Sequence, residues 1–358
     1  MPEIPASNLP ADETARTPAQ KPALKSVRIG NIDLGEFPLI LAPMEDVSDP
    51  PFRAACKELG ADLLFSEFIS SEGLIRDAAK SLKKLDIFEY ERPIGIQIFG
   101  DKIESMREAT AVVERVEPDI LDINFGCPVH KVVCKGAGAG ILRDIDKMES
   151  LTRETVKSTH LPVTVKTRLG WDEDTIRIVE VALRLQDAGI KALSIHGRTR
   201  KQMYKGEADW SWIQRVREHP DIEIPIFGNG DIDSPEKALE YRHRYGVDGI
   251  MIGRATIGNP WFFNQVKHFF ATGEHLPEVD LTERVRVCRQ HLLRSVEWKG
   301  MFTGIVEMRR HYTNYFKGIP HFKPIRTTLV TSLDLPELLD TLDLVANFQF
   351  EEAAAVLA

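Results

Sequence analysis

The segment Asn124-Phe-Gly-Cys-Pro128 sets a cysteine between a glycine and a proline, directly after the apolar run Ile120-Leu-Asp-Ile123. Inside a strand Cys127 would be a small packing residue. On the loop leaving a strand it is set to meet a substrate. Other polar residues interrupt or follow apolar runs in the same manner: Pro43-Met44, Glu67, Gln97, Lys166 with Arg168, His196, Asn229-Gly-Asp231 and Gly253-Arg254. Each has an ordinary structural explanation when taken alone, Gln97 as a hydrogen-bond partner and His196 as a satisfied core group. Jointly they point to one shared site, provided that the runs before them all end at the same place.

The elements that must position them follow a rhythm. Strand-like runs recur at 39–42, 63–66, 94–98, 120–123, 163–167, 192–195, 224–227 and 249–252, most of them separated by helical patterns such as 51–59, 103–116, 175–188 and 235–245. Strands alternating with helices, each strand followed by glycine or polar residues, predict an α/β fold of the (β/α)8 TIM-barrel type, whose chemistry sits at the C-terminal ends of its strands. An open doubly wound sheet would want a glycine-rich turn after its first strand, and Ala42-Pro-Met-Glu-Asp46 is not one. Residues 27–34 alternate around Gly30-Asn31 and predict a small hairpin. Residues 1–26, with five prolines among small and polar residues, predict a disordered tail ahead of a barrel domain over 27–268. Beyond it, helical periods (Val285, Cys288, Leu292, Val296; Leu335, Leu338, Leu342, Val345) predict a separate C-terminal helical domain over 280–350.

Bulk properties narrow the setting. The 358 residues are 43% hydrophobic and 28% charged, ordinary for a soluble globular chain, and the net charge of −8 argues against a generic polyanion binder. No apolar run approaches the ~20 residues of a membrane span. Cys56, Cys127, Cys134 and Cys288 show neither a CxxC pair nor histidines at metal spacing, so no metal site and no disulfide framework are expected, and a reducing cytoplasm is the expected location.

Phe227-Gly-Asn-Gly-Asp231 and Ile252-Gly-Arg254 place glycines and backbone N–H groups after the seventh and eighth strands, the usual phosphate position of this fold. Arg254 can add a charge-assisted contact. A phosphate there, with Lys166 and Gln97 nearby, suits a flavin mononucleotide (FMN) lying across the barrel mouth. A glutamine can pair with the polar edge of the pyrimidine ring, and a lysine can stabilise the negative charge that reduction brings.

At this point Leu41-Ala-Pro-Met44, Asn124-Phe-Gly-Cys-Pro128, Val163-Thr-Val-Lys-Thr-Arg168, His196-Gly-Arg-Thr-Arg200 with Gln202, Tyr204 and Gly206, Gly228-Asn-Gly-Asp231 and Gly253-Arg254 together resemble the tRNA-dihydrouridine synthases. The likeness runs from about Phe37 to the C-terminal helices, and the segments around Met308–Tyr312 and Tyr315–Gly318 look most like the bacterial B-type branch. The resemblance implies reduction of the C5–C6 double bond of particular uridines in tRNA, with FMN recharged by NADPH, in an enzyme expected to act as a monomer. Carried over, it implies flavin contacts from Pro43, Met44, Gln97, Lys166, His196, Asn229, Gly230, Asp231, Gly253 and Arg254. It implies that Cys127 is the proton donor, and that Asn124, Arg168, Arg198 and Arg200 hold the uridine or its backbone. An unperturbed thiol, with a pKa of ~8.5, still carries its proton at neutral pH, whereas an aspartate would mostly have lost it. Two departures stand out. Glu45-Asp46 follow Ala-Pro-Met where the family commonly has small residues, and Cys134 takes a place where asparagine is usual; Cys134 is expected to be non-catalytic. A flavin barrel acting on a small molecule, of the dihydroorotate-dehydrogenase kind, is the nearest alternative.

The acidic total conceals a basic segment. Between 283 and 326 lie ten arginines and lysines, Arg309 and Arg310 among them, against three glutamates, a local +7. Trp298, His311, Tyr312, Tyr315, Phe316 and His321 are interleaved and can either stack on bases or pack beneath the basic face. Together with a barrel mouth that needs a large RNA partner, this points to tRNA binding through the C-terminal segment.

Overall fold

The computed structural model describes residues 26–346. The expected tail, Ser26 apart, and the expected last four residues of the helical domain lie outside them. Eight parallel strands form the barrel: β1 (Leu39–Leu41), β2 (Leu64–Phe65), β3 (Ile94–Phe99), β4 (Ile120–Phe125), β5 (Val163–Arg168), β6 (Ala192–His196), β7 (Ile226–Asn229) and β8 (Gly249–Ile252). Their order is β1-β8-β7-β6-β5-β4-β3-β2, and the parallel bridge between Ile40 and Leu63 closes the ring. β2 is interrupted at Ser66-Glu67-Phe68 and resumes as Ile69–Ser70 alongside Ile98 and Phe99. The hairpin expected around Gly30-Asn31 pairs Arg28 with Asp33 and Ile29 with Ile32.

Strand alternation separates two apolar cores. Leu41, Ile96, Ile98, Leu121, Ile123, Val165, Leu193, Ile195 and Ile252 face outward and pack with the surrounding helices. Ile40, Leu63, Phe65, Ile120, Ala192, Phe227 and Met251 fill the barrel interior. Following the inward face upward, apolar side chains give way to polar ones: Ile120 to Asp122 and Asn124, Ala192 to Ser194 and His196, Phe227 to Asn229. The floor of the barrel is thus sealed and its mouth is polar. Gly95 belongs to this inward face because the Phe65 ring occupies the space a Cβ would need.

The helix expected over 175–188 runs Ile178–Asp187, since a short 3-10 turn at Glu173–Thr175, held by Thr175 Oγ1 on the Asp172 carboxylate (2.6 Å), delays its start.

Four longer helices follow the barrel: Leu281–Lys299, Met301–Tyr315, Lys323–Thr331 and Leu335–Ala346. Asp280 caps the first, accepting from Glu283 N at 2.8 Å. Gly300, at φ +84°, turns the chain straight into the second, and the absence of a side chain on Gly304 lets the two helices cross with Ser295 and Val296 backbone in the Cβ space. Their shared core holds Cys288, Leu292, Ile305, Met308, Tyr312, Leu329, Leu338 and Leu342, and it also takes in Ala55 and Trp261 from the barrel portion.

That unit is tied to the barrel at the loop after β1 and the helix Pro50–Glu58. Lys299, buried, sits between Asp49 and Glu307, while Asp49 also caps Phe52 N at 2.9 Å. Arg294 reaches Glu58 at 2.6 Å and the Trp298 indole donates to Asp86 at 2.8 Å. Between these contacts lie two buried imidazoles, His291 and His311, with ring centroids 4.6 Å apart and both against Phe52. Burial, with the Lys299 and Arg294 charges, pushes His291 down to about 3; burial, aided by His291 itself, holds His311 well below its ordinary value.

An unfolded histidine titrates near ~6.5. Below that pH the unfolded chain takes up protons that the folded seam refuses, so stability is complete above ~6.5 and falls as the pH drops toward 3. Denaturant unfolding at pH 7 and pH 5 should show a loss of about 2 kcal/mol per imidazole. The slope should flatten in His291→Phe; a slope identical to that of the wild type would remove the seam as its source.

Candidate active site

A cavity of about 840 Å³ opens at the C-terminal end of the strands, within the ~300–1,000 Å³ common for cofactor and ligand sites. Pro43, Met44, Asn124, Cys127, Lys166, Arg168, His196, Arg198, Asn229, Gly230, Asp231, Gly253 and Arg254 line it, so most of the expected site residues share one wall. Gln97, Arg200, Arg309 and Arg310 are not among its lining residues.

The Cys127 loop is braced from several sides. Asn124 Oδ1 accepts from Gly126 N (3.0 Å) and Cys127 N (2.8 Å). Arg168, buried, donates from Nε to Gly126 O at 2.8 Å and from a terminal nitrogen to Met203 O (2.8 Å) and Thr199 O (3.1 Å). Ala139 N donates to Cys127 O at 3.0 Å, and Gly138, at φ +52°, is a glycine because a Cβ would lie 2.9 Å from that same oxygen. Arg200 approaches Pro128 O from the outer side (3.4 Å) and stacks on Trp171, whose ring also meets Arg143. The thiol is only 6% exposed. Burial raises its pKa and the Glu45 charge adds to this, against the Val129 N–H and the Arg168 and Lys166 charges. Cys127 is therefore held as a thiol.

Lys166 is half-buried on β5 and forms no ion pair among the described residues; desolvation and then Arg168 bring its pKa down to about 8. Burial and the surrounding Arg168, Lys166, Arg198 and Arg254 charges keep His196 neutral. At the other end Gly230 has φ +123°, and a Cβ there would lie 2.7 Å from Ala208 Cβ and 2.9 Å from His196 Cδ2. Asn229 Nδ2 donates to Met251 O (2.8 Å), and Trp210 Nε1 donates to Gly230 O (3.0 Å), which fixes the turn. Arg198, 2% exposed, grips both oxygens of Asp231 at 2.7 Å and also the backbone of Lys205 and Gly206. Arg254 shares the same carboxylate at 2.9 Å. Burial alone would raise Asp231, but the Arg198 hydrogen bonds, the Ala208 N–H and the Arg254 charge hold it below its ordinary value.

The chemistry of these residues suits a flavin. The glycine turn at Gly230 after β7, with Gly253 and Arg254 after β8, offers a place for an anion, and Lys166 supplies a half-buried cation with no ion pair among the described residues. Pro43, Met44, His196 and Asn229 would complete the contacts.

Several expected residues have contacts other than those that the resemblance and the charge pattern implied. Arg168 and Arg198, expected on substrate, spend their guanidinium groups on backbone carbonyls and Asp231. Gln97 is fully buried beneath Asn124, between it and Asp122. Arg309 donates to the carbonyls of Thr331 and Ser332, and Arg310 to Asp46 O. Sequence reasoning passed over Asp122 as a site residue, although a carboxylate inside Ile-Leu-Asp-Ile was the visible signal. It also left out Tyr204, which is exposed and lies beside Arg168 and Arg254. Glu45, Asp46 and Glu67 form an acidic cluster at the rim, but Lys84 bonds Glu45 at 2.7 Å and sits 3.4 Å from Glu67, and Arg310 lies 4.0 Å from Asp46. Cys134 is exposed, its Sγ 3.3 Å from His130 Nε2.

Breaking the Arg198–Asp231 pair should be costly, because it leaves Asp231 with Arg254 and the Ala208 N–H alone and takes the donor from the Lys205 and Gly206 carbonyls. Arg198→Met should lower the unfolding free energy by about 2 kcal/mol in a denaturant titration. A loss below about 1 kcal/mol would make the pair incidental.

Residues 40–351 match the family profile described as dihydrouridine synthase (Dus). The tRNA-dihydrouridine synthase B of Pseudomonas aeruginosa is 39% identical over 300 residues, covering 84% of this chain and 90% of that protein. The one from Vibrio cholerae is 37% identical over 318 residues, covering 88% and 98%. Among solved structures, morphinone reductase in complex with tetrahydroNAD aligns at a TM-score of 0.51 with 14% identity over 73% of this chain and 93% of that one, a likeness of fold. Histamine dehydrogenase from Rhizobium aligns at 0.53 with 12% identity, over 76% and 50%. The chain belongs to the dihydrouridine synthase family.

Proposed function

We propose that this chain reduces the C5–C6 double bond of specific uridines in tRNA, as a B-type member of its family, with FMN as cofactor and NADPH as the source of electrons. The observation that carries this reading is the buried, braced Cys127 thiol sharing one cavity with Lys166, His196 and the glycine turns at Gly230 and Gly253.

Bound flavin supplies the hydride that adds to C6 of the uracil. The protein then has to protonate C5, and Cys127 Sγ–H is the donor, since its raised pKa keeps the proton in place at neutral pH. A covalent role would need a base to deprotonate the thiol, and the neighbouring Glu45 charge works against that. Lys166, with a pKa of about 8, is mostly protonated at pH 7 and can hold negative charge that develops in the mouth. Asn124 and Arg168 hold the loop from below and leave the thiol facing the cavity. The target uridine must leave its stack to reach this depth.

In this reading the helical residues 280–346 seat the tRNA and residues 27–268 do the chemistry, in a monomer working in the cytoplasm. Tyr312, Tyr315 and Phe316 are buried, so they pack beneath the helical surface and do not stack on bases. Many cations of the basic segment are engaged: Arg284 with Glu278, Arg286 with Glu283, Arg289 with Asp343, Arg294 with Glu58. Lys317, Lys323 and Arg326 are exposed and form no ion pair among the described residues, so they are the strongest candidates for phosphate contacts. No helix among the described residues is long and apolar enough to cross a membrane.

Two experiments test this. With NADPH and tRNA from a strain lacking this gene, the wild-type protein should place dihydrouridine at a mappable position, and Cys127→Ala should retain flavin and form none; a fully active Cys127→Ala protein would sink the assignment. Reversing Lys317, Lys323 and Arg326 to glutamate should weaken tRNA binding at least about tenfold and flatten its salt dependence by about one unit of slope per lost contact. Unchanged affinity would move the RNA site elsewhere.

A further inference from the structure

Asp122 lies in the middle of β4, fully buried, with its side chain on the inward face of the barrel. One of its oxygens accepts from Thr164 Oγ1 on β5 and the other from Gln97 Nε2 on β3, both at 2.5 Å. Gln97 Oε1 in turn accepts from Asn124 Nδ2 at 2.7 Å. Asn124 Oδ1 then accepts the two backbone N–H groups of Gly126 and Cys127. Three neighbouring strands are joined here by side chains directly below the loop that carries the thiol.

The polarity of this chain has one solution. The two ends of an amide are alike in shape, but backbone N–H groups only donate, so the oxygen of Asn124 must face Gly126 and Cys127. Its nitrogen then donates to Gln97, which must offer oxygen. Gln97 is left with its nitrogen pointing at residue 122 and needs an acceptor there. A carboxylate is one, and the Thr164 hydroxyl satisfies its second oxygen.

We infer that Asp122 is a positioning residue for the reaction: it sets the amide orientation of Gln97 and, through Gln97 and Asn124, holds the backbone of the Cys127 loop. It reaches the thiol only through this chain. Burial pushes its pKa up to about 6, against the Gln97 and Thr164 hydrogen bonds and the Lys166 charge, so that at neutral pH it is predominantly the acceptor this arrangement needs.

The turnover arm of the test rests on Cys127 as proton donor; the alkylation arm, read in flavin-free protein, does not. Asp122→Leu keeps the approximate shape and removes the acceptor, freeing Gln97 to reverse. Asp122→Asn can still accept from Gln97 through its oxygen and donate to Thr164 through its nitrogen. The rate of iodoacetamide alkylation at Cys127, followed by peptide mass spectrometry to separate it from Cys134, should rise about tenfold in Asp122→Leu, the equivalent of roughly one net hydrogen bond. It should stay within about twofold of wild type in Asp122→Asn, because the acceptor is kept. In turnover, Asp122→Leu should lower kcat at unchanged KM for tRNA, and Asp122→Asn should recover it. Wild-type alkylation in Asp122→Leu, or an asparagine variant as impaired as the leucine variant, would overturn the proposal. If Asp122→Leu does not fold, Gln97→Met cuts the chain one link nearer the loop; the same rise in alkylation supports the proposal and an unchanged rate overturns it.

Discussion

Positive charge without enough negative charge beside it governs the open end of this barrel. Arg168 and Arg198 are buried and Lys166 is half-buried within one mouth. Asp231 serves Arg198 and Arg254 together, Asp122 is consumed by Gln97 and Thr164, and Lys166 has no carboxylate of its own. Removing a charge from water is expensive unless it is paired or well hydrogen-bonded. The fold meets that cost for Arg168 with three backbone carbonyls, and so makes the guanidinium a brace for the cysteine loop. The remainder is a standing affinity for anions. With burial as the larger cause, it keeps His196 neutral, and it would give an anionic ligand something to balance.

Much of the architecture was visible in the chain itself. Eight apolar runs followed by polar or glycine residues correspond to eight parallel strands, and most of the residues read at their ends do line one cavity. That worked because strand ends, unlike strand middles, have one side on which polar groups can collect. The helix expected at Thr175 starts three residues late because a local Asp172–Thr175 turn competes with it, a choice that periodicity does not register.

The roles within the site were less legible. Position at a strand end tells which mouth a side chain approaches, but not whether a neighbour claims it first. Arg198 looked like a substrate contact, yet Asp231, thirty-three positions later, pairs with both of its terminal nitrogens. Likewise, a count of charges over 283–326 cannot see Asp49, Glu58 or Asp343, which arrive from outside that window and neutralise it in part. The aromatic residues there could be bases' partners or core; burial makes Tyr312, Tyr315 and Phe316 core.

The contacts of Lys299 and Arg310 bear on selectivity. Both leave the helical unit and end on the short segment Asp46–Asp49, which directly follows the Met44 and Glu45 wall of the cavity. These contacts hold the unit against the rim of the mouth. An RNA resting on its outer face would meet the barrel opening at one distance and one angle, as if measured against a rigid gauge. Which uridine enters would then be settled by the shape of the RNA as a folded object, with little need to read the bases around it.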